Sequence, residues 1–449
     1  MSTPPTTQVT ERLERLAGQA PLVLADPERL WSQGRRRQRG RWAGTAAGLV
    51  VLAVLGAVVV PPVIQGSPGL VAGAPDAGLI LPDVVRQPGE WERAFPSAPG
   101  RLVAVGLGTR GGWWSPRSAW WGVSGETGES RFLELPDSVT SLDTRPALSA
   151  DGRRLAYWFT GKTTDEPVIL EDEHPVVGVA VLDLVTGDAV RWEVDAPRGM
   201  RTDGLVWAGD VLWWSGGPYD EGSTPNVRSS TIAVHTWDLS TGERQDLDEG
   251  NPLVRASLGT ATPTPEGFLV TGRRGIRLVQ EGKVTSTISP NVPLHQQSSS
   301  GPSLSPDGTL LVGIHDSDPD GFTGEPDPLV VGNLNARATQ MNPVGNIETT
   351  AVHGWRSVNE VVIETYTGGE FDRVYGASTV DIDTGEVMPL LDFRGNVPSF
   401  VYDAWSAEVI EAPDAPWAPD PRLVALSVVI LGWVALMVAK RVRRRRGGA

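Results

Sequence analysis

Short runs of alternating or continuously apolar residues recur through the middle of this chain, and most end at a glycine-containing turn. "VAVLDL" (179–184) runs into "VTGD" (185–188), and "IAVHTWDL" (232–239) runs into "STGE" (240–243). "ETGE" (126–129) and "DTGE" (383–386) repeat the turn, and "QEGK" (280–283) and "NARA" (335–338) are degenerate copies. Period-two runs bounded by such turns predict β-hairpins. From Thr127 to Thr384 the turns fall in five steps of about 51 residues. A second signature, "LSADG" (148–152) and "LSPDG" (304–308), occurs twice at a separation of 156 residues, or three steps. In both copies Asp-Gly precedes an apolar run, as in a tight hairpin.

A unit of about 50 residues with four strands is the signature of a β-propeller blade. "WDLSTG" (237–242) resembles the end of a WD40 repeat, and "LSPDG" with its following strand resembles the TolB-type repeat. This resemblance covers roughly residues 100–395 and implies an all-β, six-bladed propeller, with seven blades as the alternative. It speaks for the fold and not for an activity, because propellers carry many. The first blade lacks a strand before Arg101, while "SFVYDAW" (399–405) is one strand too many for the sixth. Ser399–Trp405 is therefore expected to close the ring as the inner strand of blade one. Both chain ends would then leave on the face of the Asp-Gly and Thr-Gly turns.

Two uncharged stretches flank the repeats. Ala43 to Val60 holds 18 residues and Leu423 to Ala439 holds 17. Both reach the length of a membrane-spanning helix. Five arginines between Arg35 and Arg41 precede the first stretch, and six basic residues from Lys440 to Arg446 follow the second. Basic flanks stay cytoplasmic, so both termini are expected inside and residues 65–421 outside. Ala72-Gly73-Ala74 has the form of a signal-peptidase site, but the long segment before the first span favours an uncleaved anchor. The expected order is a basic tail (1–42), a first transmembrane helix (43–64), a linker (65–99), the extracytoplasmic propeller (100–406), a second linker (407–421), a second transmembrane helix (422–439) and a basic tail (440–449). As a whole the chain resembles the membrane-anchored WD40-like and TolB-like propeller proteins of high-GC bacteria. That resemblance implies a short cytoplasmic head joined to an external propeller.

Charge is distributed in keeping with this order. The net charge is −15. Residues 1–42 hold 8 Arg against 4 acids and residues 440–449 hold 6 bases and no acid, so the acidic excess belongs to the middle. No nucleic-acid partner is expected of such a surface, and lipid contact accounts for the basic ends. Cysteine is absent, which excludes disulfides, thiolate metal sites and cysteine nucleophiles. No nucleophile elbow, H-E-x-x-H or phosphate-binding loop motif occurs, and the five histidines are scattered.

Two residue classes remain as candidates. The 17 tryptophans include the pairs Trp113-Trp114, Trp120-Trp121 and Trp213-Trp214. On a strand, each pair puts one ring on either face, which suits packing between blades. A sugar-stacking or hydrophobic partner surface is the alternative. Acids gather between the second and third strands of the units: Asp165, Glu166, Glu171, Asp172 and Glu173; Asp220 and Glu221; Asp316, Asp318, Asp320, Glu325 and Asp327; Glu370 and Asp372. All these loops would share one face, open to a cation, a basic protein partner or a small-molecule ligand. Within "DSDPDGFTGEPD" (316–327), Asp316, Asp318, Asp320 and Asp327 stand at the spacing of a calcium loop, with Gly321 for the turn. Such a site would be weak, on the order of 10⁻⁴–10⁻³ M. No other cofactor is expected. The function expected is an anchored binding or sensing platform. A propeller glycosidase acting through loop carboxylates is the alternative.

Overall fold

The computed structural model describes residues 78–446 apart from 170–173, 225–229, 248–249, 255, 273–274, 281, 296–300, 318–325, 335–338, 368–373 and 417. The expected first span and the N-terminal tail lie outside the described residues. Among the described residues, the strands form six blade sheets of propeller order and a separate two-stranded parallel sheet. Blade 2 runs Ala147–Leu148, Arg154–Thr160, Val176–Asp183 and Ala189–Glu193 from axis to rim. Blade 3 begins at Met200–Ala208, blade 4 at Thr262–Thr264, blade 5 at Ser303–Leu304 and blade 6 at Val352–Trp355. Blade 1 takes its inner strand from the far end of the chain. Ser399–Phe400 pairs with Leu102–Arg110, placing Ser399 opposite Val105 and Phe400 opposite Ala104.

The recurrent turns are built from local hydrogen bonds. In "DLVTGD", Asp183 Oδ1 accepts from the amides of Val185 and Thr186, and Thr186 Oγ1 accepts from Asp188 N. Asp238 with Thr241, and Asp381 with Thr384, repeat the pattern, and the glycine takes positive φ each time. The Asp-Gly turns are equally regular. Ser149 Oγ donates to Asp151 Oδ1 at 2.7 Å and accepts from Arg154 N, while Ser305 donates to Asp307 at 2.6 Å and accepts from Leu310 N. The Leu-Ser-x-Asp-Gly repetition is thus one turn used twice, between the first and second strands of blades 2 and 5.

The core lies between blades. Period-two alternation sends neighbouring rings to opposite interfaces. Trp120 packs between blades 1 and 2, and Trp121 between blades 6 and 1. Trp214 packs between blades 2 and 3, and Trp213 between blades 3 and 4. Trp192 sits edge-on to Trp214 and Trp237, and Arg244 covers Trp192 and Trp237. Trp113 and Trp114 depart from the expectation. They lie in the loop between the second and third strands of blade 1, where they are 53% and 90% exposed.

Three features add strand detail to the closing segment and the linkers. Ser399–Trp405 is not one strand: pairing ends at Phe400, and Tyr402–Ser406 winds into a 3-10 turn. The linker before residue 100 contains two strands. Val84–Arg86 adds in parallel to the outer edge of blade 6, and Ile80–Pro82 pairs in parallel with Glu408–Ile410. The last of these also places strand structure in the second linker. Ile80 N donates to Gly125 O, and Pro82, Ile410 and Pro413 surround Gly128 in the Thr-Gly turn of blade 1. Both ends of the propeller unit therefore lie on the face of the turns, called the base below.

Pro421–Arg446 is a separate helix with exposed apolar side chains. Its first 21 residues, Pro421–Arg441, are long and apolar enough to cross a membrane.

Candidate functional site

Six inner strands surround an axial channel of about 1620 Å³. Its walls include Val105, Leu148, Thr202, Pro263, Ser303 and Val352, one from each blade. The lining rises to the far ends of the strands at Leu107, Thr160 and Tyr219, the side opposite the base. At the base it is lined by Tyr402 and Trp405.

The 3-10 turn is held here because its side chains bond to the inner strands of two neighbouring blades. Tyr402 Oη donates to Leu304 O of blade 5 at 3.1 Å, and Trp405 Nε1 donates to His353 O of blade 6 at 3.0 Å. Burial, reinforced by Asp403 and Asp307, pushes the Tyr402 phenol well above its ordinary range. Burial and the Asp151 charge also raise the Asp403 carboxyl. Asp403 therefore approaches blade 2 while Tyr402 holds blade 5.

On the wall of blade 6, burial holds two titratable groups side by side. Nε2 of His353 lies 3.9 Å from Oε2 of Glu364. Thr350 Oγ1 donates to Glu364 Oε1 at 2.8 Å. Burial raises the Glu364 carboxyl above its ordinary range, against the opposing hydrogen bond from Thr350. Burial lowers the His353 imidazole to about 4. The imidazole is therefore neutral at pH 7, and its buried Nε2 has no hydrogen-bond partner among the described residues. His353 stacks on Trp405 at 5.4 Å, and Phe400 lies 4.4 Å from Trp405.

Other channel acids differ. Asp203 is committed to structure: it accepts from Ser215, from Ser257 at 2.8 Å and from Leu258 N at 2.9 Å, tying blade 3 to the turn before blade 4. Asp143 is exposed at the edge of blade 2. Arg145 and Arg201, at the starts of the inner strands of blades 2 and 3, are exposed and form no ion pair among the described residues.

The acidic loops read from sequence fall on the channel's open side. Asp165 N donates to Pro197 O, and Arg198 donates to the carbonyls of Glu166 and Glu221. The Arg198 side chain thus ties those two loops through their main-chain carbonyls. Asp316 and Asp327 both approach the buried His295, at 3.9 and 3.0 Å, and Ser317 donates to Asp327. Asp318, Asp320, Glu325, Glu171, Asp172, Glu173, Glu370 and Asp372 lie outside the described residues. No group of three or more His, Asp or Glu arranged to hold a metal occurs among the described residues.

The Glu364–His353 pair escaped the sequence reading. Neither residue belongs to a motif. Only a histidine on one strand and a glutamate amid the apolar run "VVIETY" (361–366) of the next hinted at it.

No family model and no curated protein matches this chain. Solved structures do resemble it. TolB from Acinetobacter baumannii is 16% identical, over 72% of this chain and 68% of that one, with a TM-score of 0.37. The β-propeller domain of the Trilobed protease from Pyrococcus furiosus is 14% identical, over 68% and 81%, also at 0.37. A putative 6-phosphogluconolactonase from Bacteroides fragilis is 13% identical, over 68% and 98%, at 0.35. The assignment rests on the chain's own sheet order: this is a six-bladed β-propeller of mostly β structure, followed by one apolar helix.

Proposed function

We propose that this protein is a membrane-anchored, extracytoplasmic propeller that binds a ligand or a partner segment in its axial channel. One observation carries the reading. The channel has a floor at the base, where both ends of the propeller unit also lie, so a ligand enters from the opposite side. The apolar helix from Pro421 and the basic residues after it support the anchor.

A channel-filling variant tests this. Ser399 lines the channel and is exposed to it, so Ser399→Trp occupies the space without entering the interblade core. The full chain is purified in detergent from native envelope, denatured, and its released compounds are identified by mass spectrometry. A compound present with wild type and lost with a Ser399→Trp protein of unchanged melting temperature supports the reading. A compound retained by the variant removes the channel as the site.

The glycosidase alternative needs two carboxylates free to flank one bond. Asp203 is held by its hydrogen bonds, and the environments of Glu364 and Asp143 differ in burial and blade, so binding is the better supported reading.

The loop from Asp316 to Asp327 is a second proposed site, for calcium, on the same side as the mouth. Asp316 and Asp327 already converge on His295, so a cation there competes with the imidazole for Asp327. That competition supports weak affinity.

A further inference from the structure

The blade 6 wall of the channel has an unusual combination. A buried carboxylate has no Lys or Arg ion partner among the described residues. Its Oε2 faces a buried imidazole nitrogen that has no hydrogen-bond partner among the described residues. The 3.9 Å between them is too long for a hydrogen bond. It suits a single donor nitrogen placed about 2.9 Å from both atoms. Half-buried Phe400 and the Trp405 ring continue the same wall.

We propose that this wall receives an organic ammonium group, with Glu364 as counter-ion, His353 Nε2 as second acceptor and Phe400 as the aromatic face along its carbon chain. The inference rests on the channel being the binding site. A carboxylate buried without a cation is costly, and a cationic ligand removes that cost by pairing with it. An ammonium has several N–H donors, so one group satisfies both atoms. This requires the imidazole proton to sit on Nδ1, leaving the Nε2 lone pair to accept. Aromatic faces favour cations and the apolar carbons beside them. The acidic excess of the middle of the chain draws cations toward the mouth.

Arg145 and Arg201 set the other half of the ligand. They belong to blades 2 and 3, across the ring from blade 6. A simple diamine would meet them unfavourably. An amine that also carries an anionic group satisfies both walls, so the ligand class is amphoteric: an amino acid, a short peptide or a similar amino acid-like compound.

The test uses three probes of matched length on the full chain in detergent, by titration calorimetry: 5-aminopentanoate, 1,5-diaminopentane and glutarate. Wild type should bind 5-aminopentanoate most tightly. Glu364→Gln keeps an acceptor for Thr350 and removes only the charge. It should weaken 5-aminopentanoate and 1,5-diaminopentane about tenfold or more, as expected for a hydrogen bond to a charged group, and leave glutarate unchanged. Arg145→Gln with Arg201→Gln should weaken 5-aminopentanoate and glutarate and spare the diamine. Amine binding indifferent to Glu364→Gln, or glutarate binding more tightly than both amines, overturns the proposal. The two readings fail differently. If the native envelope compound is lost in Ser399→Trp but held equally by Glu364→Gln, the channel stands and the ammonium site falls. If no compound or probe depends on the channel, both fall.

Discussion

Tyr402 donates its hydroxyl to the carbonyl of Leu304, 98 residues away and two blades round the ring. The bond links the closing segment of blade 1 to the inner strand of blade 5. Removing it with Tyr402→Phe should cost about 1 kcal/mol, typical of one hydrogen bond. Trp405 is buried against His353 and Phe400, so Trp405→Ala should cost about 3–5 kcal/mol. Denaturant unfolding of the full chain, followed by tryptophan fluorescence, measures both. A Trp405→Ala cost no larger than that of Tyr402→Phe would mean that the floor is not part of the cooperative core.

Acid should loosen blade 6 through His353. Its folded-state pKa is lowered to about 4 from an ordinary 6.5, so the unfolded chain binds the proton first. The stability it contributes is complete above pH 6.5 and is lost as pH falls from 6.5 toward 4. The full loss is about 3 kcal/mol. Glu364 acts in the opposite sense, because its raised pKa favours the folded state at low pH and partly offsets the loss. Melting curves across this range should be steeper in pH for wild type than for His353→Gln. Parallel curves would place the histidine's titration elsewhere.

Two glycines separate backbone conformation from close contact. Gly385 has φ +72 and nothing within 4 Å of a built Cβ, so Gly385→Ala should cost about 1–2 kcal/mol for the left-handed conformation alone. Gly152 has φ +69, and its Cβ would stand 2.1 Å from Leu102 O. Gly152→Ala must shift the blade 1–blade 2 junction and should cost clearly more. Equal melting temperatures for the two variants would contradict that ranking.

Millimolar calcium should raise the melting temperature of the wild-type chain. Asp316→Asn should abolish the rise while leaving the calcium-free value nearly unchanged. A wild-type melting temperature indifferent to calcium would show that the loop is an acidic surface only.

The proposed topology is checked at the C-terminus. A reporter fused after Ala449 should be active in the cytoplasm, since six basic residues follow the apolar stretch. Activity only outside the cytoplasm would reverse the orientation.

Much of the fold was legible because its signals are local. The Asp, Thr and Gly of each outer turn bond within six residues, so the motif and the turn are the same fact. The Trp120-Trp121 and Trp213-Trp214 pairs were legible for a similar reason: strand alternation alone sends adjacent rings to opposite interfaces. Closure at Ser399 could be counted, because a ring of four-stranded blades leaves one strand missing at one end and spare at the other.

Tertiary structure decided what happens where local signals compete or are absent. Tyr402–Ser406 follows a paired strand, yet it winds into a turn whose side chains bond to the inner strands of blades 5 and 6 in place of extending the sheet. Val84–Arg86 was invisible as a fifth strand because its partner, Val387–Arg394, lies 300 residues later. His353 and Glu364 carry no motif. Closing the ring buries both on one wall, and that burial, which no neighbouring residue in sequence dictates, makes them a site.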